Sequence, residues 1–327
     1  MLKTKPINMS VIEKDDELGF SRLELNFKGE DINRISINSI KRIIQSEIPI
    51  FIFSDINITE NTSIFNNNYV KNHIKNIPVW GIENNIDEFI KNIEEEEDLN
   101  ETNYNINDDI DLTTTKPVDM SSLNKLNIYI NYKNESKEIY TVTTSDAKFY
   151  YKEKLINSPY KNPVQIIKLQ PDQNIKLSTQ TELGIEELSG IFAATSVCFF
   201  KKNSENDYNL VLESRGQITE KRIVQLALSL LNKKLHKFTN NLAKNNGLEG
   251  KIIVDDEDHT LGNLISYGMQ NHQAVDFFGY NTPHPLKKQI YFHFKLKTGN
   301  LNNIIKDVVS YYENVFDNIS KLVEKQI

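Results

Sequence analysis

Two long stretches of the sequence carry apolar residues at the spacing of an α-helix, and both are predicted to be amphipathic helices. The first covers 219–242, with Thr219 as its expected N-cap, and the second covers 300–325, capped by Asn300. The apolar side chains expected to join the two helices in one core are Ile223, Leu230, Leu231, Leu235, Phe238, Leu301, Ile305, Val308, Tyr312, Val315 and Ile319. An exposed stripe of this size would promote aggregation. We therefore predict that the two helices cover each other.

Each long helix closes a segment in which strand and shorter-helix patterns alternate. Residues 18–27 alternate as a strand, and a helix follows that is expected to be capped by Asp31 and stopped by Pro49. Residues 251–254 and 288–296 are predicted strands on either side of a helix that starts near Thr260. Further strands are predicted at 166–169, 174–181, 195–201 and 208–213. The pattern indicates two α+β modules that pack together inside one chain.

The segment between the first helix and residue 165 has a different composition. Short β-like pieces at 51–53, 126–132 and 139–144 surround an acidic, Asn-rich stretch at about 83–116. From Glu83 to Asp111 there are twelve acidic residues and one basic residue, so the net charge of −7 comes from this stretch and about +4 is left for the rest. Low hydrophobicity with like charge is typical of a solvated loop. The alternative is an acidic arm that docks on a partner.

Composition excludes several classes of protein. Cys198 is the single cysteine, which excludes a disulfide framework and a Cys-rich metal site and fits a reducing compartment. The chain lacks the long basic stripe that direct nucleic-acid binding requires. The first 16 residues lack a signal-peptide core, and the most apolar run, 191–200, is shorter than the roughly 20 residues needed to cross a bilayer. We therefore expect a soluble intracellular protein without membrane contact.

The segment 256–264, Asp-Glu-Asp-His-Thr-Leu-Gly-Asn-Leu, is the most distinctive in the chain. Its carboxylates and His259 could bind a divalent metal. The alternative is helix N-terminus chemistry, in which Asp258 or Thr260 caps the first turn. A second segment, 278–286, places His284 between two prolines in a rigid turn suited to contact a partner. Neither histidine is accompanied by a nucleophile in a recognised catalytic motif.

These motifs carry a resemblance to a known family. The run 258–264, followed by Gly279-Tyr280 and by 283–286, resembles the smaller partner of the RNA polymerase assembly heterodimer, which is the archaeal L subunit or the eleventh subunit of RNA polymerase II. The rest of the chain resembles the larger partner, the archaeal D subunit or the third subunit of RNA polymerase II, through the segments 38–44, 47–49, 167–169, 182–185 and 213–216. Both halves are similar to the N-terminal domain of bacterial α.

The resemblance implies an α+β fold with two α-N-terminal-domain-like dimerisation modules packed as an intramolecular pseudo-dimer, rather than a homodimer. The first module is expected at 1–49 with 165–245, a mostly β insertion domain at 50–164, and the second module at 250–327. It also implies a non-catalytic subunit that nucleates the association of the two large catalytic subunits of a DNA-dependent RNA polymerase, together with small assembly subunits. Catalytic residues, metals and cofactors are not expected in this chain, and nucleic acid is contacted only through the complex.

The resemblance also gives an expected partner interface. Its residues are Asn38, Lys41, Arg42, His259, Thr260, Leu261, Gly262, Asn263, Pro283, His284 and Pro285. A structural alternative remains for Asn38 and Asn263, whose side chains could instead satisfy local backbone groups.

Two departures from the family affect the interpretation. Many larger partners carry a cysteine cluster in the insertion, which this chain cannot hold, and the two partners are normally separate chains. A fusion of this kind is similar to those of large cytoplasmic DNA viruses, which implies host cytoplasm and virion as locations. Two rival functions stay open: an independent viral scaffold or interaction protein, and an enzyme that uses a divalent metal at Asp255 to His259.

Overall fold

The computed structural model describes residues 4–15, 21–80, 82, 125–240, 242, 247–284 and 288–327. The predicted acidic stretch at 83–116 and Pro285 lie outside these residues. None of the described helices combines the length and the apolar character needed to cross a bilayer.

Fourteen strands and five helices are described. The strands are β1 (Asn8–Asp15), β2 (Arg22–Lys28), β3 (Ile50–Asn61), β4 (Leu126–Lys133), β5 (Tyr140–Thr143), β6 (Lys148–Tyr151), β7 (Lys154–Ile156), β8 (Gln165–Leu169), β9 (Asn174–Gly184), β10 (Thr195–Ser204), β11 (Asp207–Ser214), β12 (Glu249–Asp255), β13 (Val275–Asn281) and β14 (Gln289–Leu296). The helices are α1 (Arg34–Ser46), α2 (Asn67–Lys75), α3 (Glu220–Asn240), α4 (His259–Gln270) and α5 (Leu301–Gln326). Short 3₁₀ helices occupy Thr144–Asp146 and Gly190–Phe192.

The chain divides into two compact units. One comprises Met1–Ile48 with Ala193–Ile327, and the other comprises Pro49–Phe192. The predicted boundary at 164/165 differs from this division. Strands β8 and β9, which the sequence placed in the first dimerisation module, pair with β5, β3 and β4 of the Pro49–Phe192 unit. Local alternation predicted these strands but carries no information on which distant strands they pair with.

The first unit consists of two halves. The α1/α3 half, residues 4–48 and 193–240, has an antiparallel sheet of order β1-β2-β11-β10. The α4/α5 half, residues 247–327, has an antiparallel sheet of order β12-β14-β13. In β14, the central strand of the α4/α5 half, the buried residues alternate along the strand as Ile290, Phe292, Phe294 and Leu296. In the α1/α3 half the central strand β11 is buried continuously from Tyr208 to Leu212, so this sheet is covered on both faces.

The long helices α3 and α5 pack side by side and run antiparallel. Asn232 of α3 donates to Asp317 of α5 at 2.8 Å, and His236 lies 3.3 Å from Glu313, so the contacts move in opposite directions along the two helices. Ten of the eleven apolar residues expected in this core are buried, and Leu230 is half-buried. Phe238 also contacts Phe292 of β14, with ring centroids 5.6 Å apart.

The helix N-termini correct one expectation and agree with another. Helix α1 is capped by Asn33, whose side chain accepts from the amides of Ile35 and Ser36. The expected cap, Asp31, is buried instead, where its carboxylate accepts from the Lys5 amide and from the Tyr311 hydroxyl. At α5 the expected cap Asn300 accepts from the amides of Asn302 and Asn303.

The Pro49–Phe192 unit is mostly β. A sheet of order β3-β9-β4-β6-β7 is accompanied by the β5-β8 pair, and α2 packs on β3 and β8. Its strand content agrees with the mostly β insertion that the sequence predicts. The pattern did not predict α2, or the full length of β3.

Candidate partner interface

The distinctive segment 256–264 forms the N-terminus of α4. Asp258 is the N-cap in extended conformation, and its side chain accepts from the Thr260 amide at 2.7 Å. The neighbouring carboxylates are also engaged, since Glu257 pairs with Lys234 and Asp255 accepts from Gln289. Among the described residues, no group of three or more His, Cys, Asp or Glu side chains could hold a metal ion. The geometry is therefore that of a capped helix, which was one of the two readings of the segment.

Arg42 joins this segment to helix α1. Its Nε donates to the Thr260 hydroxyl at 2.8 Å, and its guanidinium lies 2.5 Å from the Asp258 carboxylate. One side chain thereby connects two motifs that are 216 residues apart. Arg42 of one half and Thr260 of the other, both expected interface residues, consequently lie next to each other.

Asp258 titrates below its ordinary range. Burial alone would raise the pKa of Asp258, but the hydrogen bonds from Thr260 and the charge of Arg42 lower it below the usual value of 3.8. The depressed pKa adds stability above pH 3.8 that is lost as the pH falls through the folded-state pKa.

The variant Asp258→Asn keeps the cap but removes the charge. We expect the wild type to be more stable than this variant by about 1 kcal/mol at pH 7, because the pair with Arg42 is partly screened by solvent. The difference should shrink toward zero below pH 3.8. Urea unfolding at a series of pH values measures the difference in unfolding free energy. A difference that stays constant with pH would contradict the lowered pKa of Asp258.

Lys234 of α3 forms a second ionic contact beside the first. Its ammonium lies 3.1 Å from Glu47 and 3.2 Å from Glu257, and the Glu257 side chain is only 8% exposed. Burial opposes the charge of Lys234, but the two carboxylates raise its pKa above the usual value. Burial also raises the pKa of Glu257. Lys234 therefore stays protonated between two carboxylates at a largely buried site.

Tyr280 connects the second sequence motif to the first. A Cβ added at Gly262 would lie 2.6 Å from the Tyr280 ring, so only glycine allows the ring to pack on α4. The Tyr280 hydroxyl lies 3.2 Å from Nδ1 of His259. Burial, with the nearby charge of Asp258, raises the pKa of Tyr280. The glycine of one motif and the tyrosine of the other thus form one packed feature.

The expected interface residues fall into two groups. Thr260, Leu261 and Gly262 are buried, so they hold the segment in place and offer little surface. His259, Asn263, Pro283 and His284 are exposed, and Asn38, Lys41 and Arg42 are half-buried. Within the described part of the chain, the side chains of Asn38 and Asn263 make no hydrogen bond, which weakens the alternative that they satisfy local backbone groups.

Sequence reasoning missed Lys234 and Glu47. Lys234 lies four residues from both Leu230 and Phe238, on the apolar side of α3. A charged residue inside an apolar stripe is the signal that could have indicated a buried ion pair, but its partners lie far away in sequence.

Residues 249–322 match the model of the RNA polymerase Rpb3/Rpb11 dimerisation domain. Along its length the chain is similar to R470 of Acanthamoeba polyphaga mimivirus, named as a DNA-directed RNA polymerase subunit, with 24% identity over 98% of this chain and 94% of the relative.

The C-terminal region alone is similar to cellular subunits. It is 36% identical to RPAC2 of RNA polymerases I and III from Caenorhabditis elegans, over 21% of this chain and 48% of the relative. It is also 36% identical to the RNA polymerase II subunit RPB11 of Plasmodium falciparum, over 22% of this chain and 64% of the relative. The matches thus cover about half to two thirds of these cellular relatives.

Proposed function

Because the relatives of this chain are RNA polymerase subunits, a viral one among them, and residues 249–322 match their dimerisation domain, we propose that the protein is a non-catalytic assembly platform of a DNA-dependent RNA polymerase. The family match indicates that the α4/α5 half needs a dimerisation partner. The observation that carries the proposal is the antiparallel packing of α3 on α5 in one compact unit, which supplies that partner from the same chain.

In this proposal the two halves form an intramolecular pseudo-dimer, in which the α1/α3 half is the first dimerisation module and the α4/α5 half is the second. The insertion domain is the Pro49–Phe192 unit, which extends beyond the bounds 50–164 predicted from the sequence. The mimivirus relative, which is similar over the whole chain, supports a viral origin and, with it, action in host cytoplasm and virion. The chemistry of nucleotide addition belongs to other subunits.

The partners of the platform are the two large catalytic subunits, with small assembly subunits beside them. The surface that binds them is formed where α1 meets α4, because Arg42 brings Asn38 and Lys41 of one half close to His259 and Asn263 of the other. Pro283 and His284 extend the exposed part of the same half. The side-chain amides of Asn38 and Asn263, which make no hydrogen bond within the described residues, are suited to hydrogen bonds with another protein.

The test is affinity purification of the tagged chain from its native infection or cell, followed by mass spectrometry. We expect two large polypeptides in equal amounts and templated RNA synthesis in the eluate. Substituting Asn263→Arg on the exposed face of α4 should reduce recovery of the large polypeptides about tenfold or more, as at an interface hot spot.

The matched control is Asn303→Arg, the same substitution at an exposed position of α5. It should leave recovery unchanged. Recovery of the wild-type chain alone at low salt would refute the assembly role and favour an independent scaffold or interaction protein.

A further inference from the structure

The charges at the contact between the two halves are divided by sign. Both cations, Arg42 and Lys234, belong to the α1/α3 half. The carboxylates that they meet across the contact, Asp258 and Glu257, belong to the α4/α5 half. Glu47 binds Lys234 from within its own half. The α1/α3 half therefore presents net positive charge at this place, and the α4/α5 half presents negative charge.

The two halves differ at equivalent positions. Asn33 caps α1 and Asp258 caps α4, so the residue before the cap is Ile32 in one half and Glu257 in the other. A second α1/α3 half in place of the α4/α5 half would bring a neutral amide and a buried isoleucine to the positions that now hold carboxylates. Lys234 would then lose one of its two partners at a site with little solvent. Such a loss is unfavourable, because Glu47 alone would then have to offset the desolvation of the Lys234 ammonium.

The reciprocal contact on the other side uses a neutral donor. Tyr311 of α5 donates its hydroxyl to Asp31, which precedes α1, at 2.9 Å. Each long helix thus reaches an acidic residue just before the short helix of the opposite half, Lys234 to Glu257 and Tyr311 to Asp31. Two α4/α5 halves paired together would place the Glu257 and Asp258 carboxylates opposite an equivalent surface that carries neither Arg42 nor Lys234.

We infer that this division of charge selects heterotypic pairing, so that an α1/α3 half accepts an α4/α5 half and rejects a second copy of itself. The inference rests on the pairing of the two halves in the proposed function and adds the residues that decide it. Arg42, Lys234, Glu257 and Asp258 are the specificity-determining residues. The partner they exclude is the same half of another copy of this chain.

The test reverses one pair in the full-length protein. Variants Lys234→Glu and Glu257→Lys each place like charges at the contact, and each is expected to lower the urea midpoint. The chain that carries both substitutions restores an opposite-charge pair between positions 234 and 257, while the retained Glu47 then lies beside a carboxylate at position 234. It should recover part of the lost stability, as expected of directly coupled residues. The control Lys306→Glu, an exposed reversal on α5, should change neither stability nor association.

Pairing between copies is measured by unfolding two differently tagged chains together, refolding them and determining how much of one co-elutes with the other. The Lys234→Glu chain mixed with the Glu257→Lys chain should co-elute about tenfold more than two wild-type chains or two copies of one variant. Only in this mixture are like charges present within each chain while opposite charges are available between the copies, whereas wild-type chains satisfy the pair internally. Equal co-elution in all mixtures would overturn the inference.

If a single variant is insoluble, the solubility of the chain with both substitutions is the test. A soluble monomer supports the inference, and an insoluble chain overturns it. The experiment uses the isolated protein, without other polymerase subunits. Its failure therefore leaves the assembly role standing, and that role is tested separately by recovery of the large polypeptides.

Discussion

A chain truncated after Gly247 is expected to aggregate. The truncation removes α5, which packs along α3, and Phe292 of β14, which contacts Phe238. Covering a stripe of seven or eight large side chains contributes on the order of 10 kcal/mol gross at roughly 25 cal/mol per Å². Few domains could lose such a contribution and remain folded, because net stability is only about 5–15 kcal/mol.

Solubility after expression and size-exclusion chromatography measure this effect. The control is co-expression of fragment 1–247 with fragment 248–327, which should return the truncated fragment to solution as a complex. A 1–247 fragment that is soluble, monomeric and cooperatively folded by itself would contradict the mutual cover of the two long helices.

The substitution Gly268→Ala is expected to cost about 2 kcal/mol of unfolding free energy. An added Cβ would lie 2.4 Å from Cγ1 of Val308 and 2.8 Å from Cε2 of Tyr312, both in the buried face of α5. Alanine favours the helix by about 1 kcal/mol, but overpacking of a rigid core costs about 1–3 kcal/mol or more. The steric cost is expected to exceed the gain because Val308 and Tyr312 are fully buried and have little room to move.

Chemical denaturation of the purified chain measures this loss. Gly190→Ala serves as the control, since a Cβ at Gly190 would meet nothing within 4 Å. Equal midpoints for the two alanine variants would show that α4 and α5 are not in such close contact.

The long helices α3 and α5 were predictable because their signals are local, whereas α2 was not predicted. Asn300 and the apolar stripe that follows it define α5 without knowledge of the rest of the chain. The N-cap of α1 was misassigned for the opposite reason. Asp31 is as good a capping residue as Asn33, but its carboxylate is held by Tyr311, 280 residues away. Contacts at that separation leave no trace in the local pattern.

Four strands were not predicted, namely β1, β6, β7 and β13, and two of these contain a shift in register. In β1 the register shifts between Val11 and Glu13, and in β13 it shifts between Val275 and Phe277. A bulge adds one residue to a strand and interrupts the alternation on which strand prediction depends. The sequence at 278–286 predicts a rigid turn, because glycine and proline favour turns. The C-terminal part of strand β13 therefore gave no strand signal.

The sequence predicted motifs for the candidate site, but it did not predict which of their residues contact each other. The sequence identified Arg42 and the segment 258–263 separately, as surfaces for outside partners. Their direct contact, and the ionic contacts of Lys234, depend on which helices pack together. The division between the two compact units was likewise set by long-range strand pairing.

The short segment that joins the two halves affects both the rate of their association and their ratio. Eight residues separate the end of α3 from the start of β12. A connection of this length holds the two halves at an effective concentration in the millimolar range, far above that of free subunits in a cell. Their association becomes independent of dilution, and translation itself fixes their ratio at one to one. If the chain has the proposed assembly role, a polymerase made in few copies would thereby skip the slow bimolecular encounter with which assembly from separate chains must begin.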